Sequence, residues 1–378
     1  MEGHGFSSDS PLLHQIVDPW YNALSNPQDT QNQILKRLVG GYSRTAYGRD
    51  HGAASVNGLE DFRRAFPVAS YQTFLPYIAR VRQGENEALL FEPTRTWVMT
   101  RGTTGASKVI PVGDTHLSEI LGFGARAFVN FALKRNMEVV EKAVLNLNFP
   151  SRVHQMDSPR GTESYGYSSG TYARFNPGFG GARLVPAQAE IDSLGGGISR
   201  ADWERRFELA YQAAKGEDIG SLMGVTQVMV AFAEHVKRRH GVKPKEIWKP
   251  RVLCCTSVAK IHTKYAPVLR HFYGPRQIVE MYTATEGVFA QQRDGLPYLS
   301  PNYDGYLFEV DDGRRTVMLH ELQPNRWGKL IVSTSMLPRY EIGDLVESEG
   351  KGYFRILGRN RFLTRAEHRL FNLAALRF

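Results

Sequence analysis

Cysteine is nearly missing from this chain. Its 378 residues hold two, Cys254 and Cys255, adjacent in sequence. Neighbouring cysteines make a poor structural bridge and two cannot build a disulfide framework, so the chain reads as a protein of the reducing cytosol. Long apolar runs are also absent: nothing approaches the ~18 residues that a membrane span needs. The opening MEGHGFSSDSPLLHQ has no basic head followed by an apolar core, which argues against a secretory signal. No internal repeat, low-complexity tract, zinc-finger pattern or RNA-recognition signature occurs, so a nucleic-acid role would rest on charge alone.

What is present is a globular composition, 42% hydrophobic and 22% charged, long enough to bury a large core and to divide into more than one lobe. Lys and Arg number 47 against 38 Asp and Glu, a net charge of +9. That excess favours acidic partners such as nucleotides or an acidic carrier protein. Spread along the chain as it is, it reads first as a solvated basic surface.

Residues 11–48 read as helical, with Ile34, Leu35 and Leu38 on one face. TWVMT at 96–100 has strand character, and a long helix follows over THLSEILGFGARAFVNFALKR, with Thr115 as its cap. AVLNLNF at 143–149 reads as a buried strand, whereas 150–197 is too rich in Gly, Ser and Tyr for defined elements. Such aromatic, glycine-lined stretches often wall pockets. From 201 onward helices and strands alternate, which implies parallel sheet. Beyond 300 the pattern changes to strands and turns, suggesting an antiparallel or barrel-like lobe. The expected fold is α/β with a β-rich end.

Three stretches carry chemistry. In TRGTTGASK, Gly102 and Gly105 permit positive φ and close backbone approach, Thr100, Thr103 and Thr104 offer hydroxyls, and Lys108 supplies a positive charge. This is not a Walker A loop, because Lys108 lies three residues after Gly105 and is followed by Val109. Alone it would also suit an ordinary loop after a strand. In EMYTATEG a strand ending at Tyr282 delivers Thr283, Thr285 and Glu286 to a turn. Ligands gather at the carboxyl ends of parallel strands, where Glu286 could hold Mg²⁺ and Thr285 a phosphate. In RYEIGDLV a strand ends at Gly343 and Asp344 follows in a tight turn, where a carboxylate suits two ribose hydroxyls.

In this order, with Gly358 and Arg359 of ILGRNRFL as a hinge, the set resembles the nucleotide site of adenylate-forming enzymes. YSRTAYGRDHG, FRRAFPVASYQTFLPYIARVRQGENEALLFEP and GTTGASKVIPV narrow the resemblance to the auxin-responsive acyl-acid amido synthetases and their bacterial relatives, over about residues 30–365. The resemblance implies a luciferase-like large domain over 1–357, and a reaction in which a carboxylic acid and ATP give an acyl-adenylate and pyrophosphate. In full members of that family an amino acid then captures the adenylate as an amide. It assigns Thr100, Gly102, Thr103, Thr104, Gly105 and Lys108 to the phosphates, Thr285 and Glu286 to the α-phosphate and Mg²⁺, Tyr282 to the base and Asp344 to the ribose. Thr256 and Ser257 are softer candidates for adenine, and Tyr167, Ser168, Met223 and Thr226 for the acyl pocket, where core packing and capping explain them equally.

The chain departs from the family pattern in two ways. Arg101 stands where a small hydroxyl residue is usual, and residues 358–378 read as a hinge remnant and basic tail without the small C-terminal domain. Arg361 and Phe362 replace the hinge acid. Three readings stay open at this point: an acid-activating ligase, a nucleotide- or acyl-binding pseudoenzyme, and acyl transfer to a thiol, carrier protein or second polypeptide.

Overall fold

The computed structural model describes residues 9–101, 107–176 and 182–359, with the backbone of 178–179. Within these the chain divides into two compact units. Of the described residues, the first gathers those in 9–18, 97–110 and 120–297, and the second those in 19–96, 111–119 and 298–359.

In the first unit the strands Ala182–Val185, Ala143–Leu145, Ile219–Val225, Val252–Thr256 and Gln277–Ala284 lie side by side and parallel. Gly287–Gln291 adds an antiparallel neighbour to the last of them. Every residue of Val252–Thr256 and of Gly287–Gln291 is buried, as apolar runs covered on both faces require. The helices Arg200–Ala214, Thr226–His240 and Ala266–Tyr273 connect or flank these strands. Val228, Met229, Phe232, Ala233 and Val236 form the buried face of the second, packing with Phe207, Leu253 and Leu269. The alternation expected beyond residue 201 is therefore present. Cys254 and Cys255 are both free and buried in one strand, and burial pushes the Cys254 thiol up to about 12.

The stretch 150–197 is more regular than its composition suggests. His154–Ser158 and Gly161–Tyr167 form an antiparallel hairpin, and the helix Ser168–Phe175 follows directly. Thr96–Met99 pairs parallel with the hairpin's second strand, Met99 opposite Tyr167. Glycine here serves contact rather than interruption. A Cβ on Gly166 would lie 2.5 Å from the Ser151 carbonyl carbon, so only glycine admits that approach.

The second unit holds a five-stranded antiparallel sheet in the order Thr316–Met318, Leu307–Asp311, Trp327–Ser333, Tyr340–Gly350, Tyr353–Arg359. The helix Pro27–Tyr42 is keyed to it by Gln31. That buried amide donates to the carbonyls of Tyr303 and Tyr306 and accepts from Phe308 N.

Two local expectations are corrected. The long helix begins at Asp114, so Thr115 lies inside its first turn and is not its cap. Glu92 instead accepts from Thr115 N at 2.7 Å and Thr115 Oγ1 at 2.8 Å, placing an anion where helical N–H groups lack partners. Nor does a strand end at Gly343. Tyr340–Gly350 runs through it, with Gly343 at φ +89 and a register shift opposite Lys329–Ile331. The left-handed glycine is absorbed as an irregularity within the strand, which leaves Asp344 paired with Arg359 across the sheet.

Candidate active site

The parallel strands of the first unit deliver their carboxyl ends to one edge, where an α/β sheet receives ligands. Gln277–Ala284 and Gly287–Gln291 are a hairpin in which Ala284 pairs with Gly287, so Thr285 and Glu286 are its turn. Glu286 is 4% exposed. Its Oε1 lies 3.8 Å from Lys108 Nζ, on a side chain that remains one-third accessible. Residues far apart in sequence are thus brought together: the loop lysine and the turn glutamate face each other.

The loop that carries Lys108 is closed at its base. Thr100 N donates to the Lys108 carbonyl and Lys108 N donates to Thr100 Oγ1, each at 2.9 Å. Thr100 Oγ1 thus accepts one bond at the loop's base, and its O–H is not used by that bond. Gly102, Thr103, Thr104 and Gly105 lie outside the described residues. Arg101 stands with its guanidinium over the Phe149 ring, 5.5 Å from the centroid.

Two side chains from the helix Ser168–Phe175 complete the turn's surroundings. Ser168 Oγ is 3.1 Å from Thr285 Oγ1, and the Tyr172 hydroxyl donates to the Thr285 carbonyl at 3.0 Å. Burial, and then the Glu286 carboxylate, push the Tyr172 phenol far up, so it stays a donor. Sequence reasoning missed Tyr172. Its signal was the i,i+4 spacing from Ser168, which puts both on one helical face, in a stretch whose glycines concealed the helix. Tyr167, at the helix N-cap, is buried with its ring 5.2 Å from that of Phe149.

A second hydroxyl group of residues occupies neighbouring strand ends. Thr256 Oγ1 is 2.5 Å from Thr283 Oγ1, and Thr226, fully buried, donates its hydroxyl to the Thr256 carbonyl at 2.9 Å. Thr226 thus ties a helix start to a strand end. Ser257 follows with φ +72, a left-handed backbone that costs a non-glycine residue of order 1 kcal/mol and tends to persist at functional sites. Met223 is half-buried beside Cys254 in the register, and Tyr282 is buried with its ring 5.5 Å from Phe289.

In the second unit Asp344 and Arg359 form their own pair. Arg359 Nε is 2.9 Å from Asp344 Oδ1, and its guanidinium also donates to the Ile342 carbonyl at 2.7 Å. Asp344 is buried while Arg359 is exposed. The tail beyond Arg359, with Arg361 and Phe362, lies outside the described residues.

A parallel-sheet edge bearing a lysine, a buried carboxylate and clustered hydroxyls is a place to hold phosphates. Comparison with known proteins gives the following likenesses. Residues 18–190 match the GH3 family N-terminal domain. The indole-3-acetic acid-amido synthetase GH3.6 of Arabidopsis thaliana is 25% identical over 95 residues, which is 25% of this chain and 16% of that protein's length. The structure resembles that of the acyl acid amido synthetase AtGH3.15 in complex with 2,4-DB, with a TM-score of 0.75 at 14% identity, over 95% of this chain and 72% of that one. It also resembles 2-hydroxyisobutyryl-CoA ligase in the postadenylation state in complex with 2-HIB-AMP, with a TM-score of 0.59 at 16% identity, over 86% and 67%. At these identities the likeness shows a fold shared with these two enzymes.

Proposed function

We propose that the protein activates a carboxylic acid with ATP, forming an acyl-adenylate and releasing pyrophosphate. The observation that carries this is the approach of Lys108 and Glu286 to 3.8 Å at the carboxyl edge of the sheet. The GH3 match and the adenylate-forming fold supply its context.

A carboxylate oxygen of the acid attacks the α-phosphorus while the bond to the bridging oxygen breaks and pyrophosphate departs. Two anions must be brought together, and charge stabilisation with alignment is what a protein can contribute. Lys108 would neutralise the phosphates, Thr285 and Ser168 would donate hydroxyls to the α-phosphate, and Tyr172 would hold the turn that aims them. Asp344 is proposed as the acceptor for ribose hydroxyls. Tyr282, Thr256 and Ser257 remain the base candidates, and Met223 and Tyr167 those for the acid.

Mg²⁺ fits this residue set. It favours one or two carboxylates with phosphate oxygens making up the remainder, and Glu286 offers a buried carboxylate next in sequence to Thr285, whose hydroxyl meets that of Ser168. When bound, the ion would supply positive charge to the phosphate oxygens.

The adenylate's onward fate would be an amide or a thioester, with an amino acid, an amine, a thiol or a carrier protein as acceptor. The test is carboxylate-dependent exchange of pyrophosphate into ATP over a broad panel of acids, aryl acids included. Exchange that Glu286→Ala abolishes supports the reading. No exchange with any acid, together with calorimetric binding of AMP or an aryl acid, replaces it with a nucleotide- or acyl-binding protein that does not turn over.

A further inference from the structure

Away from the strand ends, on the outer helices of the first unit, three side chains converge in a way that acid activation does not use. Glu208 projects from the helix Arg200–Ala214, and His235 and His240 from Thr226–His240. Both imidazoles direct Nε2 at the same carboxylate oxygen, Glu208 Oε2, from 3.4 Å (His235) and 3.0 Å (His240). One potential ligand atom from each residue lies within 4.8 Å of the other two.

The surroundings hold this geometry in place. Gln212 Nε2 donates to Glu208 Oε1 at 2.8 Å, which turns Oε2 toward the histidines. Tyr211 stacks on the His240 ring at 3.7 Å and 15°, and the Phe207 ring lies 5.7 Å from that of His235. His235 is 6% exposed, yet no hydrogen bond reaches its Nδ1 and its contact through Nε2 is longer than a good hydrogen bond. Burying an imidazole so weakly satisfied is costly unless something further binds it.

The distances suit a shared ion. With metal–ligand bonds of about 2.0–2.1 Å, the edge of a tetrahedral zinc site is roughly 3.3 Å, close to the two separations on Glu208 Oε2. Two imidazoles and one carboxylate favour a borderline ion such as Zn²⁺ over Mg²⁺ or Ca²⁺, which prefer oxygen. His240 and Glu208 are only half-buried, which leaves a route for the ion and a fourth position for water.

We propose that Glu208, His235 and His240 form a divalent transition-metal site of the Zn²⁺ class that staples the helices Arg200–Ala214 and Thr226–His240. The site is independent of the adenylation reading, and its test uses no activity. Full-length protein stripped with EDTA is titrated with Zn²⁺ by calorimetry, and with Co²⁺ by visible absorption, at pH 7.5. One equivalent should bind, with the intense visible band of four-coordinate Co²⁺. Zn²⁺ should raise the melting temperature where equal Mg²⁺ does not. His240→Gln, and separately the isosteric Glu208→Gln, should weaken binding at least tenfold while leaving the metal-free melting temperature within a few degrees. Absence of stoichiometric binding overturns the proposal, as does stoichiometric binding that both variants leave unchanged. If His240→Gln does not fold, Glu208→Gln decides alone.

Discussion

Glu286 and Glu309 are both nearly inaccessible, one in each unit, and each faces a cation, yet the two pairs are built differently. Glu309 is gripped from both sides. Arg339 meets it with Nε at 2.9 Å and a second guanidinium nitrogen at 3.3 Å, and Arg63 Nε lies at 2.9 Å. The third Arg339 nitrogen donates to the carbonyls of Arg63 and Phe66. Glu286 faces a lysine at 3.8 Å whose stem still reaches solvent. A planar guanidinium locks a carboxylate in place, whereas a flexible ammonium provides charge without fixing geometry. The first arrangement suits a charge that holds a fold. The second suits one that must adjust when a polyanion arrives.

The sharpest way to break that comparison is to remove each carboxylate. Glu309→Ala leaves Arg339 buried without its partner and should cost about 3–5 kcal/mol, read as a shifted denaturant midpoint. Glu286→Gln should move the midpoint by less than about 1 kcal/mol. Its exchange rate should fall by about 10²–10³, the usual loss for a group that stabilises developing charge. Were Glu286→Gln to unfold as readily as Glu309→Ala, the distinction between a holding pair and a receiving pair would fail.

A third glutamate, mostly but not fully buried, sharpens the point through pH. Glu280 lies on the strand that leads to Thr285 and Glu286, and burial lifts its carboxyl to about 7. Its neighbour His262, at 3.5 Å, is held below its ordinary range chiefly by burial, so it offers little compensating charge at neutral pH. An acid with a raised folded-state pKa costs nothing below its unfolded value near 4.3. The cost grows as pH climbs from there to about 7 and is complete above it. Glu280→Gln should therefore gain stability over the parent at pH 8, by at most about 4 kcal/mol, and gain none at pH 4. Parallel stability curves for the two proteins between pH 4 and 8 would show that Glu280 is solvated or paired.

Much of this was legible in the sequence because it rests on periodicity. The alternation after residue 201 gave the parallel sheet, and the strand before Thr285 placed that turn at a carboxyl edge. Less visible was anything decided by contacts between distant residues. RYEIGD drew attention to Asp344, while Arg339 at its head does more for the fold. Its role appears only once Glu309, Arg63 and Phe66 surround it. The stretch FRRAFPVASYQ, which carried much of the family resemblance, has a comparable explanation. Phe66 accepts from Arg339, and Ala69 bridges to Tyr340, with its N–H donating to the Arg339 carbonyl at 2.9 Å. In 150–197 glycine and serine obscured the period, since they were chosen for close approach and hydrogen bonding rather than for hydrophobicity. The helix bearing Ser168 and Tyr172 was hidden for that reason.

Asp344 stands between the two extremes and gives the finest test. Like Glu309 it is buried and meets an arginine at 2.9 Å, but like that of Glu286 its cation still reaches solvent. If the carboxylate serves ribose, Arg359 orients it without saturating it. Asp344→Asn should then raise KM for ATP about tenfold, the loss of roughly 1.4 kcal/mol of binding, with kcat within about threefold. Arg359→Ala, which removes an exposed partner, should cost under about 1 kcal/mol of stability and shift KM less. A nucleotide affinity indifferent to Asp344→Asn, in protein whose midpoint has dropped by several kcal/mol, would move this residue to the Glu309 class. Asp344 would then hold the last strand pair of the sheet and have no part in ligand binding.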